Sequence, residues 1–173
     1  MIEYERSSQI VGKENILFTN IKRDSEKLKA FGKCEKKSVS ELGLNTSRVC
    51  ILDPVAEKTL SPDEVDDFDY FVIGGILGDE KFNGRTGREL TKFMPEAVKR
   101  NIGDKQFTID NAVYVTHAIV NGKKLSEIKM QDEAEIEIKD GESIILPYTY
   151  PLIQGKPAMS DKLIAYLKHK RSI

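Results

Sequence analysis

The chain is short of the residues on which much enzyme chemistry rests. Among its 173 residues there are two histidines and two cysteines. His117 and His169 are far apart, with no ligand-type spacing. Cys34 and Cys50 make neither a metal-binding pattern nor a disulfide framework. No metal site, metal hydrolase or catalytic triad is expected. His117 is expected in a structural role on a helix packed against a sheet, and His169 in a solvated basic terminus. No charge sign dominates either: 27 Lys and Arg face 28 Asp and Glu, a net charge of −1. That balance argues against a generally basic nucleic-acid-binding protein and leaves room for a local basic patch. No apolar run approaches membrane-spanning length, and the N-terminus lacks a signal-peptide pattern. The expectation is a cytoplasmic protein with reduced cysteines, Cys50 in the core. There is no internal repeat and no low-complexity segment.

What is present suits one domain with a full core, at 39% hydrophobic and 32% charged residues. Helix and strand signals alternate. A helix is expected over 2–11 with Gly12 at its end, and a short strand over 15–19. Asp24 is expected to cap a helix running through Phe31 to Gly32, and Ser38 with Glu41 forms a capping box for one further turn. Val49-Cys50-Ile51-Leu52 reads as a buried strand. Ser61-Pro62-Asp63-Glu64 is a strong helix start, with a cap, a proline at the first helical position and a glutamate three residues on. Phe68 to Ile73 reads as a strand covered on both faces. Thr86 with Glu89 opens a helix ending before Pro95, 97–102 is the next strand candidate, and Thr108 caps a helix that Gly122 ends.

The tail differs: Glu133–Lys139 and Glu142–Leu146 form a hairpin about Asp140-Gly141, then come breaks at Pro147, Pro151 and Pro157. Ser160 starts a last amphipathic helix. The reading is an α/β domain over 1–122, a mainly parallel sheet with helices on both faces, and a C-terminal extension over 123–173 packed on it.

The most informative stretch runs from Phe68 to Asp79. A strand enters a turn in which Gly74, Gly75 and Gly78 remove three side chains. In α/β sheets ligands sit beyond the carboxyl ends of strands, and glycines there let backbone approach a ligand closely. The same spacing also fits a tight strand-to-helix turn with no ligand. It is not the spaced dinucleotide fingerprint, and Arg85 stands where a phosphate loop needs lysine. Three strand ends remain: 52–55, 74–79 and 102–108. Together they can form a pocket with backbone donors, apolar walls and a few acids, better suited to an adenine-containing ligand without phosphates than to ATP.

Ile51-Leu52-Asp53-Pro54, Asp69-Tyr70-Phe71-Val72 with Gly74-Gly75-Ile76-Leu77-Gly78-Asp79, Gly84-Arg85-Thr86, and Gly103-Asp104-Lys105-Gln106 with Thr108 and Asp110 resemble the SPOUT-class methyltransferases. Within that class they are similar to an archaeal RNA-methyltransferase group and its eukaryotic relative that methylates a ribosomal-protein arginine. The resemblance runs from about Ile2 to about Pro157. It implies a deep trefoil knot and S-adenosylmethionine (SAM) held bent in its loops. By position, Gly74, Gly75, Ile76, Leu77 and Gly78 would wrap the cofactor with Ile102, Gly103, Lys105, Gln106, Phe107 and Thr108, and Leu52, Asp53 and Pro54 would form a neighbouring wall. Relatives begin with a further strand and helix, so the resemblance implies either a sheet without that edge strand or a truncated start here. The implied function is methyl transfer to a ribosome-associated acceptor, a ribosomal-protein arginine or RNA; the alternative is a non-catalytic SAM-binding or ribosome-associated interaction module.

For an arginine acceptor the orienting carboxylate is expected at Asp79, with Asp53 and Asp104 behind it. For RNA, Arg85, Arg88, Lys99 and Arg100 are the phosphate candidates. Monomer and homodimer both remain open, since the class is generally dimeric but the tail after Gly122 can cover a dimer surface.

Overall fold

The computed structural model of the chain describes residues 1–74, 90–139 and 141–170. Three strands form a parallel sheet: β3 (Val49–Leu52) in the centre, β4 (Tyr70–Ile73) on one side and β5 (Val98–Arg100) on the other. Register places Leu52 opposite both Ile73 and Arg100, so all three strands end at the same edge. Val49, Cys50, Ile51 and Leu52 make β3 fully buried, as a central parallel strand requires. Its side chains alternate between two cores. Cys50 and Leu52 pack with Leu60, Phe68, Ile102, Val115 and Ile119, while Val49 and Ile51 pack with Val39, Met94 and Ala97.

Val115 and Ile119 lie on the helix Ile109–Val120, which covers the first face. Among the described residues the second face is covered by single turns around Val39 and Met94 rather than by a long helix. A separate two-stranded parallel sheet joins β1 (Leu17–Phe18) to β2 (Lys33–Cys34). The tail forms β6 (Met130–Lys139), β7 (Glu142–Ile153) and β8 (Lys156–Pro157), paired antiparallel. Among the described residues the α-helices are α1 (Ile2–Val11), α2 (Ser25–Leu28), α3 (Ile109–Val120) and α4 (Asp161–Lys170). Ser160 opens α4, its hydroxyl accepting from the Lys162 N–H at 3.2 Å.

Several expectations are corrected. The helix from Asp24 ends at Leu28, and Asp24 itself adopts a left-handed φ of 54° with no side-chain cap. Pro62–Asp67 is a 3-10 helix although its capping box forms as expected. Among the described residues β4 lies at the sheet's edge with Tyr70 exposed, rather than as a strand covered on both faces. His117 lies on α3 but on its exposed side. β7 runs through Pro147 and Pro151 instead of breaking. The β6–β7 register shifts between Asp132 and Ala134, opposite Thr149 and Leu146, so Pro147 falls where the ladder skips and its missing N–H costs no pair. The expected helix start at Thr86–Glu89 lies outside the described residues.

Candidate functional site

At the common edge of the sheet, the chain leaving β3 is pinned to the end of β5. The Asp53 N–H donates to the Arg100 carbonyl at 2.9 Å. Asp53 is buried, and its carboxylate accepts the Val55 N–H at 3.2 Å while its carbonyl accepts that of Ala56 at 3.0 Å. This turn directs Val55 outward, where it is exposed. Leu52 stays in the core, and Gly74 lies half-buried at the end of the neighbouring strand. The chain passes from β3 to β4 on one side and back across to β5 on the other. Such a reversal opens a crevice at the carboxyl ends of the strands.

Asn101 stitches two loops together. Its N–H donates to the Lys58 carbonyl at 2.8 Å, its side-chain amide to the Ala56 carbonyl at 2.8 Å, and its carbonyl accepts the Leu60 N–H at 2.9 Å. Its side-chain oxygen accepts from the Thr59 hydroxyl at 3.0 Å and the Gly103 N–H at 3.1 Å. Gly103 then turns at φ +114°, a backbone that side chains rarely adopt. A cavity of about 610 Å³ opens here, with Leu60, Ile102, Gly103, Leu125, Ile128 and Met130 among its lining residues. Of its described lining residues only Lys124 is charged.

The rest of this loop is held by the tail and the N-terminal helix. Lys105 pairs with Asp132, whose carboxylate also accepts from the Thr149 hydroxyl at 2.9 Å; both contacts keep it ionised below the usual carboxylate range. The Thr149 N–H donates to the Gln106 carbonyl at 2.8 Å, and Phe107 bridges Thr149. Thr108 is buried at the cap position of α3, but its hydroxyl turns to Asp110 at 2.6 Å. The free Ile109 N–H is capped instead by Glu3 of α1, at 3.0 Å. Burial first, and the nearby Asp110 second, push the Glu3 carboxyl upward.

Of the residues expected at the site, Leu52, Asp53, Pro54 and Gly74 follow or end strands at one edge with Ile102 and Gly103, and Lys105 to Thr108 continue that loop. Gly75, Ile76, Leu77, Gly78, Asp79 and Arg85 lie outside the described residues, as does Arg88. Arg100, a phosphate candidate from the sequence, is already engaged. Its Nε and Nη2 bind Glu64 at 2.8 and 2.6 Å, and that contact holds the Glu64 carboxyl below its ordinary value. Lys99 and Asp104 are exposed. Asn101, Glu3, Asp132, Thr149 and the 125–130 wall escaped sequence reasoning, because their partners are remote in the chain. Among the described residues no acid, histidine or cysteine cluster could hold a metal ion, and no helix is long and apolar enough to cross a membrane.

Comparison with known proteins places the chain, with its parallel three-stranded sheet, in the SPOUT class of methyltransferases. The archaeal Trm10 of Thermococcus kodakaraensis shares the fold, at TM-score 0.56 and 22% identity over 72% of this chain and 83% of that one. The protein belongs to the family described as protein arginine N-methyltransferase SFM1-like, which matches residues 1–172. The protein arginine N-methyltransferase SFM1 of Saccharomyces cerevisiae is 36% identical over 127 residues. That alignment spans 72% of this chain and 60% of the yeast protein's length. The crystal structure of the yeast enzyme complexed with SAM superposes at TM-score 0.88 and 30% identity, over 99% of this chain and 84% of that one.

Proposed function

We propose that this protein is a SAM-dependent methyltransferase that modifies an arginine side chain of a protein, with a ribosomal protein as the acceptor class. The observation that carries this reading is the convergence of Asp53, Gly74 and Ile102-Gly103 at one sheet edge beside a largely apolar cavity. Membership in an arginine methyltransferase family supports it, as do the SAM and S-adenosylhomocysteine (SAH) complexes of the yeast relative. The residues present fit such a cofactor. A Cβ at Gly103 would meet only Phe107 Cε2, at 3.9 Å, so the glycine leaves backbone accessible. The apolar wall of Leu60, Leu125 and Ile128 suits an adenine ring, and one lysine at the rim is poor provision for a triphosphate.

In this reading Leu52 to Pro54, Gly74 to Gly78 and Ile102 to Thr108 hold the cofactor, within the trefoil knot of the class. When bound, SAM supplies an activated methyl on a sulfonium. The protein excludes water and aligns the acceptor. The methyl carbon would pass to one guanidinium nitrogen of the acceptor, which would give up a proton, the S–C electron pair staying on sulfur. Asp79 orients the guanidinium through a charge-assisted contact. Asp53 is less suited to this role, being buried with its carboxylate turned onto the Val55 N–H. An RNA acceptor, with Arg85 holding phosphate, finds less support because Arg100 is tied to Glu64.

Incubation with methyl-labelled SAM and ribosomal fractions tests the reading. Label released by protease and retained after RNase is the expected result. Label in RNA moves the acceptor to nucleic acid, and SAM binding without transfer leaves a non-catalytic module. Asp79→Asn should lower turnover by roughly tenfold or more with cofactor affinity nearly unchanged.

A further inference from the structure

A buried polar knot joins α1 to the start of α3, directly after the 103–108 loop. Arg6 Nη1 donates to Asp110 Oδ2 at 2.5 Å and to Asn111 Oδ1 at 3.0 Å. The Arg6 and Asp110 side chains are 13% and 4% exposed. Asp110 Oδ1 collects the Thr108 hydroxyl at 2.6 Å and the Asn111 N–H at 3.1 Å. Tyr150, on the strand that clamps Gln106, is buried close enough to Asp110, Glu3 and Arg6 for their charges to act on its hydroxyl, which burial pushes upward.

This knot is a poor device for stability alone. Asn111 Nδ2 and the Tyr150 hydroxyl are buried and find no partner among the described residues. Buried ion pairs with unmet neighbours are commonly less stabilising than a packed apolar cluster. What the knot does supply is geometry. Asp110 holds the Thr108 side chain, Glu3 holds the Ile109 N–H, and Arg6 holds Asp110, so α1 sets where the loop ends and α3 begins.

We propose that Arg6, acting through Asp110, is a positioning residue for the cofactor loop 103–108. The proposal rests on the cofactor reading above. Without the guanidinium, nothing ties Asp110 and the Thr108 hydroxyl it accepts to α1, whatever the charge at position 110, and the loop end loses its fixed place. The loop then samples conformations that do not bind, and cofactor affinity falls with the competent fraction.

Three variants test it: Arg6→Gln, Arg6→Lys, and the double change Arg6→Gln with Asp110→Asn, which leaves no orphaned charge. Melting, hydrogen exchange of amides 103–109 without ligand, and SAH affinity by calorimetry well below the melting temperature are read for each. Arg6→Gln should speed exchange at 103–109 and weaken SAH binding by about fivefold or more. Arg6→Lys should restore part of the affinity. The double variant should recover melting temperature but not affinity, which a merely structural pair would not produce. Unchanged exchange and affinity in Arg6→Gln overturn the proposal, as does affinity that returns with stability in the double variant. If the unaltered protein fails to bind SAH, the cofactor reading falls. The exchange measurement still decides whether Arg6 anchors the loop.

Discussion

Gly103 is the residue at which backbone conformation and the proposed ligand site meet. Its φ of +114° is open to glycine and strained for any branched side chain, although the space beside it is free. A valine there forces the loop to rotate away from its present path, at a cost of about 1–3 kcal/mol. Gly103→Val should therefore abolish SAH binding measured by calorimetry while the protein remains folded with a modestly lowered melting temperature. Retained affinity would place the pocket elsewhere. Cys50 behaves as composition suggests: it lies in the core beneath this edge, and burial pushes its thiol up to about 12, so it is no candidate nucleophile.

Elements meet at the site through pairings that no local pattern announces. The 3-10 helix Pro62–Asp67 begins with a capping box, yet Glu64 does double duty there. Its carboxylate accepts the Ser61 N–H at 3.1 Å and also grips Arg100 at the end of β5. Arg100 lowers the Glu64 carboxyl from its ordinary 4.5. A depressed native value means that the pair stabilises the fold above that ordinary value and that this contribution is lost as pH falls through the native one. Glu64→Gln should cost about 1–3 kcal/mol at neutral pH. It should also flatten the fall in stability below about pH 4.5 relative to the unaltered protein, as read from urea midpoints across pH. Equal slopes in the two proteins would remove the pair from the acid response. At this scale the tail also matters, because β7 holds the 103–108 loop through Thr149.

For the whole molecule, the proposed cofactor site draws on three strand ends at once, so binding there should couple to global unfolding. A ligand at a hundredfold excess over its dissociation constant stabilises the native state by about 2.7 kcal/mol. For a chain of this size that is roughly 5–10 °C in melting temperature. SAM and SAH should each produce such a shift in a thermal melt, and ATP and NAD none. A comparable shift with ATP would overturn the assignment of the cavity to a phosphate-free adenosine ligand.

Much of this architecture was legible along the chain, for a definite reason. The four apolar residues 49–52, the end of α1 at Gly12, the turn at Gly103 and the capping boxes at Ser38 and Ser61 are set by contacts within a few residues. Local chemistry is enough to specify those. The glycine-bearing strand ends were visible too, because a loop that approaches backbone or ligand must shed side chains. Packing decided the rest. Whether Thr108 caps α3 depends on Glu3 lying across from Ile109, and whether Arg100 is free depends on Glu64. Whether Pro147 breaks a strand depends on a register shift in its partner. Each outcome joins residues remote in sequence, so periodicity and propensity carry no trace of it until the chain has folded.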